Sequence, residues 1–200
     1  MAPRPIRRTL VTRFHYYTAT TLDGFIADEG DSLDWLLTQP IDEEGPMNYS
    51  AFFGTIGAMA MGATTYEWVV DHEIRTGNPW PYDIPTFVFT HRDVEPVADS
   101  IRIVAGPVVD RRDELVDAAG DEDFWVVGGG DLAGQFAEAG MLDEVHLSYA
   151  PVTLGSGRPL FPRAYDLELI DLDRNKAFAC ARYAVVGPRD APQSGHEQAR

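Results

Sequence analysis

Cysteine is almost absent. The chain of 200 residues has one, Cys180, so it cannot form an internal disulfide framework. The thiol sits in an apolar, strand-like run and reads as a small core hydrophobe. Basic charge is scarce as well: 16 Lys and Arg face 32 Asp and Glu, a formal net charge of −16. General nucleic-acid binding needs a basic footprint and is excluded. No hydrophobic run approaches the roughly 18 residues of a membrane span. The basic start, Met1-Ala2-Pro3-Arg4-Pro5-Ile6-Arg7-Arg8, is not followed by the apolar stretch of a signal peptide. A cytoplasmic protein with no nucleic-acid or membrane partner is expected. The Rossmann fingerprint Gly-x-Gly-x-x-Gly and the phosphate loop Gly-x-x-x-x-Gly-Lys-Ser/Thr are both missing, which sets aside a phosphotransferase. No cluster has metal-ligand spacing, and no metal is expected.

Glycine is placed with purpose. Phe124-Trp125-Val126-Val127 runs straight into Gly128-Gly129-Gly130, and a helical pattern starts at Asp131-Leu132. Strand, tight turn and helix start follow one another there. Glycine lets a backbone approach a ligand closely, and the amides at a helix start favour an anion such as a phosphate; a plain βα turn is the alternative. A second unit has the same logic: the apolar run Gly57–Met61, then Gly62-Ala63-Thr64-Thr65 opening a helix, with Thr64 and Glu67 spaced as a capping box. A third stretch, Thr90-His91-Arg92, follows the strand Thr86–Thr90 and offers a hydroxyl, an imidazole and a guanidinium suited to a ribose phosphate.

The remaining pattern organises these stretches. Residues 1–12 read as a flexible tail, 13–187 as one domain and 188–200 as a disordered tail. Strands are expected at Phe14–Thr20, Phe25–Ala27, Ile101–Ala105 and Val145–Val152, helices over roughly 46–56 and 108–119, and a hairpin from Leu167–Asp173 and Ala177–Val186. Strands alternate with helices first and follow each other last. That predicts an α/β domain with a mainly parallel sheet and an antiparallel C-terminal hairpin. In such sheets ligands gather at the carboxyl ends of strands.

Four motifs in order resemble the dihydrofolate reductase-like superfamily: Asp23-Gly24-Phe25-Ile26-Ala27, Met61-Gly62-Ala63-Thr64-Thr65-Tyr66-Glu67, Val126-Val127-Gly128-Gly129-Gly130, and Leu142-Asp143-Glu144 with Ala150-Pro151-Val152 and Leu160-Phe161. The nearest group is the C-terminal reductase domain of the bifunctional riboflavin-biosynthesis deaminase/reductase with its stand-alone bacterial relatives. The resemblance covers residues 13–186. It implies the three-layer dihydrofolate reductase-like fold, the cofactor NADPH, and hydride transfer to a small planar heterocycle such as 5-amino-6-(5-phosphoribosylamino)uracil or dihydrofolate. It places Gly62, Ala63, Thr64, Thr65, Gly128, Gly129, Gly130, Asp131 and Leu132 at the pyrophosphate and Thr90, His91 and Arg92 at the 2′-phosphate. The same resemblance implies that Ala19, Thr20, Leu22, Asp23, Gly24 and Ile26 flank the nicotinamide and substrate. Ala63 departs from the Arg or Lys usual in the family and leaves the NADPH over NADH preference open. The zinc signature of a deaminase is absent. A homodimer through the C-terminal strands is the family-style expectation.

Several residues carry two readings. Asp23 is the carboxylate nearest the expected nicotinamide and the candidate proton source; an Asp-Gly turn residue is its alternative. Trp35, Tyr49, Phe53, Trp80 and Tyr82 are aromatics suited to wall a planar ring or to pack a core. Asp42, Glu43 and Glu44 are candidate substrate acids or a solvated loop. Arg158 is a candidate for a substrate phosphate or a surface arginine, and His15 and His146 read as structural. Two functions compete: an NADPH-dependent reductase, and a non-catalytic nucleotide-binding module that kept the reductase fold.

Overall fold

The structure, a computed structural model, describes residues 11–189. The two tail segments up to residue 10 and from residue 190 lie outside the described residues. The chain opens with β1 (Phe14–Thr21), turns at Asp23-Gly24 into β2 (Phe25–Ala27), and makes two short helices, α1 (Asp34–Leu37) and α2 (Tyr49–Phe53). Three βα-type passages follow: β3 (Ile56–Gly62) with α3 (Ala63–His72), then β4 (Thr86–Phe89) and β5 (Ile101–Val104), and α4 (Arg112–Ala119) leading to β6 (Asp123–Gly128) and α5 (Gly130–Glu138). β7 (Glu144–Ala150), the two-residue β8 (Arg158–Pro159), β9 (Tyr165–Asn175) and β10 (Phe178–Pro188) complete it.

Eight strands form one sheet in the order β5-β4-β3-β6-β1-β7-β10-β9. β5, β4, β3, β6, β1 and β7 are parallel. β10 runs antiparallel to β7 and pairs with β9 as the C-terminal hairpin. β2 and β8 form a separate ladder with Phe25 opposite Pro159. The composition explains the parallel part: Ala58, Met59, Ala60 and Met61 are all fully buried, the continuous apolar run of a strand covered on both faces.

Alternation along the strands divides the core. Phe14, Tyr16, Phe124 and Val126 face α4 and α5, where Leu115 and Phe136 meet them. Their neighbours Trp125, Met59, Met61 and Val88 face the other way, against Tyr66 of α3 and the partly buried Phe52 and Phe53 of α2. The result is three layers, helix on sheet on helix, as the family resemblance implies.

Four local expectations are corrected. The helix expected over 46–56 shrinks to α2, capped by Asn48, whose side chain accepts from the Ala51 amide. Asn175 of the distant hairpin holds the preceding loop instead, bonding the Asp42 amide and the Asp42 and Pro46 carbonyls. The capping box at Thr64 does not form: Gly62 is the N-cap, no side chain caps the helix, and Glu67 pairs with Arg92. The helix over 108–119 is a 3₁₀ turn (Val108–Arg111) followed by α4. β10 extends to Pro188, one residue into the expected tail.

Candidate active site

A cavity of about 880 Å³ opens at the carboxyl ends of the parallel strands, in the size range of ligand sites. One half is built by backbone. The β6–α5 turn needs glycine twice over: Gly128 has φ +149°, and a Cβ on Gly130 would lie 2.3 Å from the carbonyl oxygens of Pro159 and Leu160. Only glycine lets the start of α5 sit this close to β8. α5 begins after Gly129 and α3 after Gly62, and neither N-cap has a side-chain hydrogen bond. The first-turn amides of both helices therefore have no side-chain acceptor among the described residues, and the positive ends of two helix dipoles border one space.

Thr90, His91 and Arg92 continue this wall. The Thr90 hydroxyl accepts from the Arg92 amide at 2.9 Å, and the Arg92 guanidinium donates to the Glu67 carboxylate at 3.0 Å. Asp131, in the first turn of α5, is occupied by Gln135 at 2.9 Å and Arg163 at 3.0 Å. Those hydrogen bonds, Gln135 foremost, hold its carboxyl below the usual range.

The other half is aromatic and apolar. Tyr17, Tyr49, Tyr82, Trp125, Leu33, Leu36 and Phe178 line it, with Ser148 and Thr18 adding hydroxyls. Trp125 is fixed by a 3.1 Å hydrogen bond from its indole nitrogen to the Tyr17 carbonyl. Tyr17 stacks on Phe52 at 4.3 Å between ring centroids, and its hydroxyl donates to the Met47 carbonyl. Burial pushes the Tyr17 and Tyr82 phenols up to about 12 and raises Tyr49 also, so all three stay protonated. At the rim Arg158 makes a bidentate pair with Asp31, at 2.6 and 3.0 Å.

The cavity brings together every residue expected at the cofactor: Ala19, Ile26, Gly62, Ala63, Thr64, Thr65, Thr90, His91, Arg92, Gly128, Gly129, Gly130, Asp131 and Leu132. Of the other candidates it includes Tyr49, Tyr82 and Arg158. The rest lie outside its wall. Thr20 is buried, its hydroxyl donating to the Phe25 carbonyl. Leu22 is exposed, and Gly24 serves the turn with φ +85°. Trp35 packs with Ala150, Phe178 and Cys180, Phe53 stacks on Tyr49, and Trp80 packs on Tyr66 and Tyr82. Asp42, Glu43 and Glu44 are exposed and do not line it.

Asp23 has the contacts of the turn residue that was the alternative to its catalytic reading. Its carboxylate accepts from the Thr21 hydroxyl at 2.6 Å, the Leu154 amide at 3.1 Å and the Gly155 amide at 2.7 Å. These bonds, Thr21 first, keep it below the usual carboxyl range. It ties the turn after β1 to the loop after β7.

Sequence reasoning passed over Tyr17, Trp125 and Ser148 as cavity residues, because each is one alternate position of a buried strand. It also missed a polar network at the opposite end of the same sheet face. His15 is 3.1 Å from Asp123, and His146 is 3.0 Å from Glu144. Arg13 pairs with Glu144, and Arg182 approaches it at 3.9 Å. Potential ligand atoms of His15, Glu144 and His146 lie within 4.8 Å of one another, a grouping from residues 129 apart in sequence that spacing could not reveal.

Comparison with known proteins accounts for this architecture. The RibD C-terminal domain model matches residues 15–184. The chain belongs to the RibD C-terminal domain family. It is 30% identical over 167 residues to protein YwjB of Bacillus subtilis, covering 82% of this chain and 91% of that one. Among solved structures, a putative riboflavin biosynthesis protein from Shewanella sp. PV-4 superposes with TM-score 0.73 at 25% identity, over 87% of this chain and 99% of that one. Dihydrofolate reductase from Enterococcus faecalis, complexed with NADP(H), matches with TM-score 0.53 at 17% identity over 87% and 96%; that likeness is one of fold. The mainly parallel sheet with its antiparallel hairpin is thus the RibD and dihydrofolate reductase-like fold. Among the described residues no helix is long and apolar enough to cross a membrane.

Proposed function

We propose that the chain is an NADPH-dependent reductase of a small planar heterocycle, of the pyrimidine or pterin type. One observation carries this reading: two helix starts without side-chain caps and the Thr90–Arg92 stretch border a single cavity. The donor set fits a dinucleotide phosphate. First-turn amides at Ala63–Thr65 and Gly130–Leu132 would hold the pyrophosphate, with Thr64 and Thr65 adding hydroxyls. His91 and Arg92 would meet the 2′-phosphate, Arg92 with the donors its pairing to Glu67 leaves open. The family membership and the NADP(H) complex of the Enterococcus faecalis relative support the same assignment.

The bound dinucleotide would supply a hydride. The protein's part is orientation and exclusion of water. Ala19 and Ile26 border the meeting point of the two halves, and Trp125, Tyr17 and Tyr49 wall the space for the acceptor. Both carboxylates in the wall, Asp31 and Asp131, are engaged by arginines, so the proton that completes a reduction comes from water or a hydroxyl. That same feature favours a second reading, a nucleotide-binding module without turnover. In a melting titration, NADPH at a hundred times its dissociation constant stabilises by about 2.7 kcal/mol; NADPH consumption with planar heterocycles then separates the two readings. Absence of any shift with NADPH contradicts both.

The chain further pairs with a second copy through its hairpin. Leu169 and Leu172 of β9 and Val186 of β10 are 52%, 63% and 64% exposed, on the last two strands of an open sheet. Light scattering should give about twice the 22.1 kDa chain mass, and Leu172→Glu should halve it. A cytoplasmic setting, where NADPH is held reduced and a free thiol persists, suits this function.

A further inference from the structure

The aromatic half of the cavity holds polar groups of one kind. Tyr49 and Tyr82 line it, and neither hydroxyl has a hydrogen-bond partner among the described residues. Tyr17 and Ser148 add two more hydroxyls to the same wall. These groups are neutral at physiological pH, since burial holds the phenols protonated. Charge in this half is cancelled. Arg158 gives two hydrogen bonds to Asp31. Asp131, held by Arg163, belongs with His91 and Arg92 to the half with the helix starts. A substrate phosphate or carboxylate would find no free cation there, and a protonated aminopyrimidine would find no free carboxylate. Enclosing an unpaired charge is strongly unfavourable.

We propose that this half takes an uncharged planar acceptor bearing carbonyl oxygens, a quinone or cyclic enone, packed among Trp125, Leu33 and Phe178 with its oxygens bonded by Tyr49 and Tyr82. The proposal rests on the NADPH-dependent reductase reading and replaces its pyrimidine or pterin acceptor with a neutral carbonyl-bearing ring. The reaction balances as NADPH, the acceptor and one proton giving NADP⁺ and the two-electron-reduced acceptor: a hydride leaves the nicotinamide ring, the proton comes from water, and for a quinone the product is the hydroquinone. The phenol donors stabilise the negative charge that develops on oxygen. The Asp31–Arg158 pair is the specificity determinant against anions.

The test compares 2-methyl-1,4-naphthoquinone with 1,4-naphthoquinone-2-sulfonate, which exchanges a methyl for a sulfonate. The sulfonate is the stronger oxidant, so intrinsic reactivity works against the expected preference. NADPH consumption, corrected for the uncatalysed rate, should give a KM for the neutral quinone lower by about tenfold or more. Tyr49→Phe and Tyr82→Phe should each raise that KM by roughly threefold to tenfold and leave the NADPH melting shift intact. Asp31→Asn should release Arg158 and lower the KM for the sulfonate. Equal or better use of the sulfonate by the wild type overturns the proposal, as does an unchanged KM in both Phe variants. An NADPH melting shift with no turnover of either quinone overturns it too, while cofactor binding stands. Loss of the NADPH shift itself would instead strike the reductase reading.

Discussion

Strands β6, β1 and β7 present one face whose two ends differ sharply. Going up β7, Glu144, His146 and Ser148 stand opposite His15, Tyr17 and Ala19 of β1. Four residues, about 13 Å of strand, separate Glu144 from Ser148. At the amino end the polar groups are largely paired with one another: Asp123, His15, Glu144, His146, Arg13 and Arg182 form one network, closed over by Phe52. Of its buried side-chain atoms, only His15 Nδ1 and Arg182 Nε lack a hydrogen-bond partner among the described residues. At the carboxyl end polar groups are left open, namely two sets of helix-start amides and two phenols. The strands are the same; what differs is whether the protein itself supplies the partners. Where it does, the polar residues brace the fold, and where it does not, they mark a place for a ligand.

If that division holds, damage at the amino end costs stability and spares binding. The largest effect is expected for Glu144→Ala, which leaves Arg13 and both histidines facing a gap. Glu144 is buried but Arg13 is half exposed, so the cost is expected at the low end of the about 3–5 kcal/mol for breaking a buried pair, on the order of 10 °C in melting temperature for a chain of this size, with NADPH affinity retained in the folded protein. Loss of NADPH binding without loss of stability would break the comparison.

The next effect is with pH. Burial, aided by His15, lowers His146 from 6.5 to about 4 despite the opposing Glu144. Burial would raise Glu144, but Arg13, His15 and His146 outweigh it and hold it below 4.5. For both groups the unfolded chain takes up protons at a higher pH than the folded one. Stability is therefore full above pH 6.5 and falls as pH drops toward 4, by about 2–3 kcal/mol from His146. His146→Gln should flatten much of that slope in melting curves recorded from pH 7.5 to 4.

At the carboxyl end the signs reverse: binding suffers and stability does not. Arg92→Ala removes an exposed guanidinium paired with Glu67, a pair of little structural weight. It should weaken NADPH by roughly tenfold to a hundredfold, the loss of one or two charged hydrogen bonds, and leave NADH unchanged by calorimetry. The smallest change is expected for Asp23→Asn. A turn residue should alter kcat by less than about tenfold, against the hundredfold or more of a lost general acid. A fall of that larger size would restore Asp23 to the chemistry.

What the sequence displays follows from how far apart the deciding residues lie. Strand runs that end in glycine are local patterns, so β3–α3 and β6–α5 were readable, and with them the half of the cavity built from helix starts. The false capping box shows the limit of local rules: Thr64 and Glu67 have the right spacing, but the chain is extended only to Gly62, and Arg92, 25 residues away, takes Glu67. The helix over 46–56 is shortened in a similar way: Asn175, far along the chain, bonds the Pro46 carbonyl, and the helix starts only at Tyr49. Tyr17, Trp125 and Ser148 become neighbours only through strand register, and the Glu144 network only through the β1–β7 pairing. Asp23 was legible as a turn residue, but the amides of Leu154 and Gly155 that claim it were not.

The most direct test of the central claim is amide hydrogen exchange by NMR with and without NADPH. The open helix starts should be the amides that gain protection: Ala63, Thr64 and Thr65 of α3, and Gly130, Asp131 and Leu132 of α5. Residues of the amino-end network, His15, Glu144 and His146, should exchange at the same rates in both samples. Binding of NADPH that leaves both helix starts unprotected, or that protects the amino end instead, would contradict the account.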